Sequence, residues 1–276
     1  MTSPMPELLV QPTQLAAELA EDDGSPLVLD VRYNLMGPDG HQEYREAHVP
    51  GAVWVDLDAE LAGAPGSGGR HPLPEPDVFV AAMRRVGLTN ATPVVVCDGG
   101  SLLGASRLWW LLRDHGHTDV RVLDGGFAAW RDAGLPLESG EAPVRATGDF
   151  LGEPGHLPRV DVAQVAAGER PLVDVRAPER FAGESEPVDP VAGHVPGAVN
   201  VPAAGSFRDG RFRPAGELAD HFATVPSGAA IYCGSGVTAT QTLLALAIAG
   251  RTDAVLYPGS WSEWITDPDR PVATGD

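Results

Sequence analysis

Short, wholly apolar runs recur along the chain, each followed by polar or glycine-rich residues and then by a segment of helical periodicity. Leu27-Val28-Leu29-Asp30-Val31-Arg32 is the first, and Val94-Val95-Val96-Cys97 and Val120-Arg121-Val122-Leu123 follow it. Runs this short, rich in β-branched residues and bounded by turn formers, predict strands covered on both faces. Between them the spacing predicts helices over Gln11–Ala20, with Thr13 as a cap, and over Asp77–Val86, entered through Pro74 and Pro76 and closed by Gly87. Further helices are expected over Ser106–His115, ended by Gly116, and after Gly125-Gly126, where one carries Trp130. Tyr33–Ala47 reads as a polar loop leading to His48-Val49-Pro50-Gly51-Ala52-Val53.

The same order then repeats. Leu172-Val173-Asp174-Val175-Arg176 repeats the first strand, and Gly193-His194-Val195-Pro196-Gly197-Ala198-Val199 repeats the His-Val-Pro-Gly-Ala turn. Ala229-Ala230-Ile231-Tyr232 repeats the strand ending at Cys97, and Trp264 falls where Trp130 fell. Repetition at half the chain length means a duplicated domain, and strands alternating with helices mean mostly parallel sheets flanked by helices on both faces. The expectation is an α/β protein of two tandem domains, residues 8–137 and 159–270. The Gly- and Pro-rich stretch 138–158 is expected to be the linker between them.

Candidate chemistry concentrates in Ile231-Tyr232-Cys233-Gly234-Ser235-Gly236-Val237-Thr238, where a strand hands over to an apolar helix running to Ile248. In open α/β sheets ligands collect at the carboxyl ends of strands. Gly234 and Gly236 let successive N–H groups converge on one point, and the helix start adds partial positive charge there. A thiolate at Cys233 is stabilised in such a ring, which makes it a nucleophile at neutral pH. Ser235 offers a hydroxyl to the thiolate or to a substrate, and Thr238 is expected to cap the helix. In the first half the corresponding loop is Cys97-Asp98-Gly99-Gly100-Ser101, with Asp98 opposite Cys233. A carboxylate does no thiol chemistry, so the first half reads as catalytically inactive and Cys97 as a core residue.

Composition narrows the partners. The 276 residues are 43% hydrophobic and carry a formal net charge of −19, which argues against nucleic acid and anionic membranes. All 19 basic residues are Arg, so any cationic substrate contact is a planar guanidinium suited to carboxylate or sulfonate. Two cysteines do not make a disulfide framework, and Met1–Pro6 lacks a leader pattern, so a cytoplasmic protein is expected. The eight histidines show no metal-ligand spacing, and neither a metal nor an organic cofactor is expected.

Asp-x-Arg, His-Val-Pro-Gly-Ala and the cysteine loop, present twice in this order, resemble the two-domain rhodanese family of sulfurtransferases from Leu27 to Trp264. The loop from Cys233 to Thr238 resembles the mercaptopyruvate form, because thiosulfate-preferring members carry basic residues where this chain has Gly234 and Ser235. The closing Pro258-Gly259-Ser260-Trp261-Ser262-Glu263-Trp264 is similar to the family as well. The resemblance implies a relay in which Cys233 takes sulfur from a small donor as a persulfide. Cyanide, a small thiol or a protein thiol then removes it. It also implies that Cys233 is catalytic, that Arg176 and Arg180 bind the donor, and that His48 and Asp39 approximate a His and an Asp lent by the first domain. Arg176 reads equally as an ion-pair partner of Asp174 or Glu179, since Arg32 repeats it in the inactive half. Glu184–Ala192 lacks the further arginine that mercaptopyruvate-type members often carry before the second His-x-Pro-Gly.

Rival readings are a thiosulfate:cyanide sulfurtransferase and a non-catalytic persulfide carrier or protein-binding module. A cysteine-loop phosphatase needs an arginine six residues after its nucleophile, where this chain has Ala239.

Overall fold

The apolar runs form parallel strands, and those strands divide between two units. The computed structural model describes residues 7–21 and 24–275, so the Met1–Pro6 segment lies outside the described residues. Unit 1 comprises Met1–Leu61 and Pro74–His156; unit 2 comprises Ala62–Leu73 and Leu157–Asp276.

In unit 1 the order is β1 (Leu9–Val10), α1 (Pro12–Leu19), β2 (Leu27–Asp30), α2 (Gly40–Glu46), β3 (Val53–Trp54), α3 (Leu57–Glu60), α4 (Pro76–Arg85), β4 (Val94–Cys97), α5 (Leu103–Asp114), β5 (Val120–Leu123) and α6 (Gly126–Asp132). The sheet order is β1-β5-β4-β2-β3, parallel throughout. Every residue of β2 and β4 is buried, which requires cover on both faces. Val28, Val95 and Cys97 turn to one face and pack with Leu15, Phe127 and Trp130.

Unit 2 runs α7 (Val162–Ala166), β6 (Leu172–Asp174), α8 (Pro178–Phe181), β7 (Val199–Asn200), β8 (Phe207–Arg208), β9 (Arg211–Phe212), α9 (Ala215–His221), β10 (Ala230–Tyr232), α10 (Val237–Ile248), β11 (Val255–Leu256) and α11 (Ser260–Trp264). Its main sheet, β11-β10-β6-β7, is parallel and repeats the order of the other unit, while β8 and β9 form a separate antiparallel pair. Asp30 pairs with Cys97 in one sheet, and Asp174 pairs with Tyr232 in the other. The duplicated register puts Cys233 one residue past the end of β10, as Asp98 lies one residue past β4.

Four local expectations change. The loop 33–47 contains α2, whose N-cap is Asp39; only Tyr44 of that helix is buried, so no apolar period marks it. Thr13 and Thr238 cap nothing: α1 starts from Gln11 with Pro12 at its first position, and α10 starts from Gly236 in the left-handed region at φ +83°. The stretch 138–156 lies along unit 1 instead of forming a free linker. Phe150 is fully buried there and its N–H donates to the Leu88 carbonyl at 3.1 Å, while a side chain at Gly148 would start 1.9 Å from that same carbonyl. Finally, residues 62–73 leave the first half of the sequence and join unit 2.

Candidate active site

Cys233 is 2% exposed, at the turn from β10 into the twelve-residue helix α10. Its Sγ accepts the Gly236 N–H at 3.1 Å, the first contact of the expected amide ring. Glycine is obligatory at 236: besides its positive φ, a Cβ there would start 2.2 Å from the Pro258 carbonyl oxygen. The cysteine's own N–H donates to Ser260 Oγ at 3.1 Å, and its carbonyl accepts Trp261 N–H at 3.0 Å. Gly234 and Ser235 are buried beside it, Val237 opens α10, and Thr238 is half-buried in the first turn.

Two guanidinium groups face Gly234. A Cβ built there would meet Arg70 Nη2 at 2.9 Å and the Nη atoms of Arg180 at 3.6 and 3.7 Å. Carboxylates hold both cations in place. Asp189 accepts from Arg70 Nη1 through Oδ1 and from Arg180 Nη2 through Oδ2, the latter at 3.1 Å. Glu186 accepts from Arg180 Nε and Nη2 at 3.0 and 2.7 Å. The loop 184–192 thus supplies no arginine of its own and instead holds two that come from elsewhere. His71 follows Arg70, and its Nδ1 lies 2.7 Å from Ser235 Oγ, with both residues 8% exposed.

Arg176 is placed differently from its expected role as a donor clamp. Its Nε and Nη2 donate to Asp174, Nη2 also to the Gly193 carbonyl at 2.7 Å, and Nη1 to Glu186 at 3.3 Å. Its side chain is 1% exposed and lies 4.9 Å from the centre of the Trp261 ring. Arg32 repeats this arrangement with Asp30, the carbonyls of Glu43 and Ala47, and the Phe127 ring at 4.2 Å. The Asp-x-Arg motif is therefore a staple common to both units.

His48 and Asp39 also have local work. His48 is fully buried, stacks on Tyr44 with ring centres 4.1 Å apart, and donates from Nδ1 to the Tyr44 carbonyl. His194 repeats this on Phe181 at 3.6 Å. Asp39 accepts the N–H groups of His41 and Gln42 as the cap of α2. The first-half histidine beside the cysteine loop is His71. Its signal in the sequence is an Arg-His pair inside the Gly- and Pro-rich stretch Gly68-Gly69-Arg70-His71-Pro72.

The rhodanese-like domain profile matches residues 11–133 and 161–267. The chain belongs to the rhodanese-like family. A probable 3-mercaptopyruvate sulfurtransferase of Pseudomonas aeruginosa is 46% identical to it over 282 residues, 97% of this chain and 98% of that protein. A putative thiosulfate sulfurtransferase of Mycobacterium tuberculosis is 45% identical over 273 residues, 94% and 96% of the two chains. The crystal structure of SseA from Escherichia coli, described as showing the fold and mechanism of 3-mercaptopyruvate sulfotransferases, matches at a TM-score of 0.81 and 34% identity. It covers 93% of this chain and 100% of that one.

Within this rhodanese-like pair only one loop has a cysteine just past the end of its strand. In the other, the Asp98 carboxylate fills its own amide ring, accepting from the N–H groups of Gly100 at 2.8 Å and Leu102 at 3.0 Å. Cys97 behind it is fully buried, and burial pushes its thiol well above the usual range. Among the described residues no His, Cys, Asp or Glu group is arranged to hold a metal ion, and no helix is long and apolar enough to cross a membrane.

Proposed function

We propose that this chain is a sulfurtransferase moving the thiol sulfur of 3-mercaptopyruvate, as the sulfane sulfur of a Cys233 persulfide, to a thiol or cyanide. The observation that carries the reading is the convergence of Arg70, Arg180 and the His71–Ser235 pair on the Cys233 loop. The donor's carboxylate faces the guanidiniums over Gly234, which match it as planar forks. The Cys233 thiolate attacks the donor's sulfur, an S–S bond forms, and the C–S bond breaks. The carbon leaves as the enolate of pyruvate and takes a proton, relayed by the Ser235 hydroxyl backed by His71. The amide ring holds the anionic persulfide. An acceptor thiolate or cyanide then attacks the outer sulfur, the S–S bond breaks, and the Cys233 thiolate returns.

Thiosulfate is the second reading, favoured by the name of the mycobacterial relative. There the leaving group is sulfite, which needs no proton. Protein thiols are proposed as acceptors alongside small ones, and the cytoplasm as the compartment, since a reduced Cys233 is required. The test is to incubate the protein with each donor, follow persulfide on Cys233 by intact mass, and compare kcat/KM. A higher kcat/KM for thiosulfate would overturn the donor assignment; no persulfide with either donor would overturn the sulfurtransferase reading.

A further inference from the structure

Arg70 reaches the cysteine loop from a segment that begins and ends in the other half of the sequence, so something must fix it there. The segment 62–73 is closed at its neck by Gly63 N–H to the Pro72 carbonyl at 3.0 Å, and at its tip by reciprocal 3.0 Å hydrogen bonds between Gly66 and Gly69. These bonds shape the excursion without attaching it. Asp189 holds the Arg70 side chain, and the attachment at its backbone is Ser262, whose Oγ accepts the Arg70 N–H at 3.0 Å.

Ser262 holds the nucleophile loop as well. Its N–H donates to the Gly234 carbonyl at 2.9 Å, and its hydroxyl donates to the Gly259 carbonyl at 3.2 Å. One 7% exposed residue therefore joins the backbone of Gly234 to the backbone of Arg70. The chain before Arg70 runs so close that a Cβ on Gly69 would start 2.7 Å from Ser262 Oγ and 2.8 Å from the Gly259 carbonyl, and Gly69 sits at φ +96°. The inactive unit supplies the internal control. There Ala128 makes the corresponding N–H contact, to Gly99 at 3.3 Å, with a methyl group where Ser262 has its hydroxyl. The backbone contact thus belongs to the shared fold, while the hydroxyl contact is found where a cation must be placed.

We infer that Ser262 is a positioning residue for donor binding: its hydroxyl fixes Arg70 over the cysteine loop and so sets affinity for the donor's anionic group. The inference rests on the sulfurtransferase reading above for its kinetics, but not for its anchor. Losing one such hydrogen bond changes an equilibrium by roughly three- to tenfold. Ser262→Ala should raise KM for mercaptopyruvate by about that factor with kcat within about twofold. Because the hydroxyl acts through Arg70, Ser262→Ala should add nothing in an Arg70→Ala background. Gly69→Ala, which displaces the same contact from the other side, should give the same KM effect.

Amide hydrogen exchange over residues 66–71 reads the anchor without any turnover and should speed up in Ser262→Ala, with β10 and β11 unaffected. Unchanged exchange, an unchanged KM, or an undiminished Ser262→Ala effect in the Arg70→Ala protein would each overturn the assignment. A wild-type protein that forms no persulfide strikes at the function instead, and the exchange measurement then decides the anchor alone.

Discussion

His71 and Ser235 stand 164 positions apart in sequence and meet through a 2.7 Å hydrogen bond beside Cys233. The contact sets a ring nitrogen within hydrogen-bond reach of a serine hydroxyl in the Cys233 loop. As a proton relay, such a pair matters most when the leaving group must be protonated.

The two donors therefore respond differently to its loss. Ser235→Ala or His71→Asn should lower kcat for mercaptopyruvate by about 10²-fold, the lower end of general acid catalysis. Thiosulfate turnover, which expels sulfite, should fall far less. The double variant should be no worse than the more damaged single one, because the two side chains act as one unit. Equal losses on both donors would remove the proton relay and leave the pair a structural role.

Cys233 and Cys97 differ in what surrounds them. Cys233→Ser should abolish persulfide formation and transfer. Cys97→Ser places a hydroxyl in the packed face formed with Val28, Val95 and Phe127, at a cost of about 1–3 kcal/mol to stability. Its Tm should fall while sulfur transfer per folded molecule persists. Similar loss of transfer in both variants would point to a relay through two cysteines.

The arginines separate in the same way. Arg176 is bound on every side by Asp174, Glu186 and Gly193, so Arg176→Lys should cost stability, about 1.5–3 kcal/mol, with donor KM nearly unchanged. Arg70→Lys and Arg180→Lys keep a charge but lose the fork over Gly234, and kcat/KM for mercaptopyruvate should drop roughly ten- to a hundredfold. Thermal melting and steady-state kinetics on the three variants decide between them. A donor-specific KM defect in Arg176→Lys with an unshifted Tm would return the clamp to Arg176.

The repeated motifs made the duplicated α/β fold and the Cys233 loop legible, because strand runs and glycine turns are local signals. Arg32 hinted that Arg176 was structural, since a residue repeated in a half whose loop has Asp98 in place of the cysteine serves the shared fold. His48 carried the same hint through His194. What the order of residues could not show is that 62–73 packs away from its flanking elements. Arg70 and His71 have no period and sit among glycines and prolines, and their destination depends on Ser262, Asp189 and Ser235 far along the chain. The missing arginine of 184–192 was a real absence at that position, and Arg70, held by Asp189 of that loop, faces Gly234.

Glu186 links the staple to the site and gives the pH dependence. It accepts from Arg176, from Arg180, and from the N–H groups of Val188 and Asp189. Burial pushes its carboxyl up, but the hydrogen bonds from Arg180 and from the two amides outweigh that and hold it below its ordinary 4.5. A depressed carboxyl favours the fold while it is ionised. Its stabilisation is therefore complete above about pH 4.5 and is lost as the pH falls through the lower folded value. Glu186→Gln removes one charged partner of two arginines and should cost about 1–3 kcal/mol at neutral pH. The Tm gap between wild type and variant should stay level from about pH 8 to 5 and narrow below that, as the wild-type carboxyl takes up its proton. Arg180 should also lose its fixed position over Gly234, so the variant's donor KM should rise at neutral pH. A gap that widens on acidification would reverse the sign assigned to Glu186.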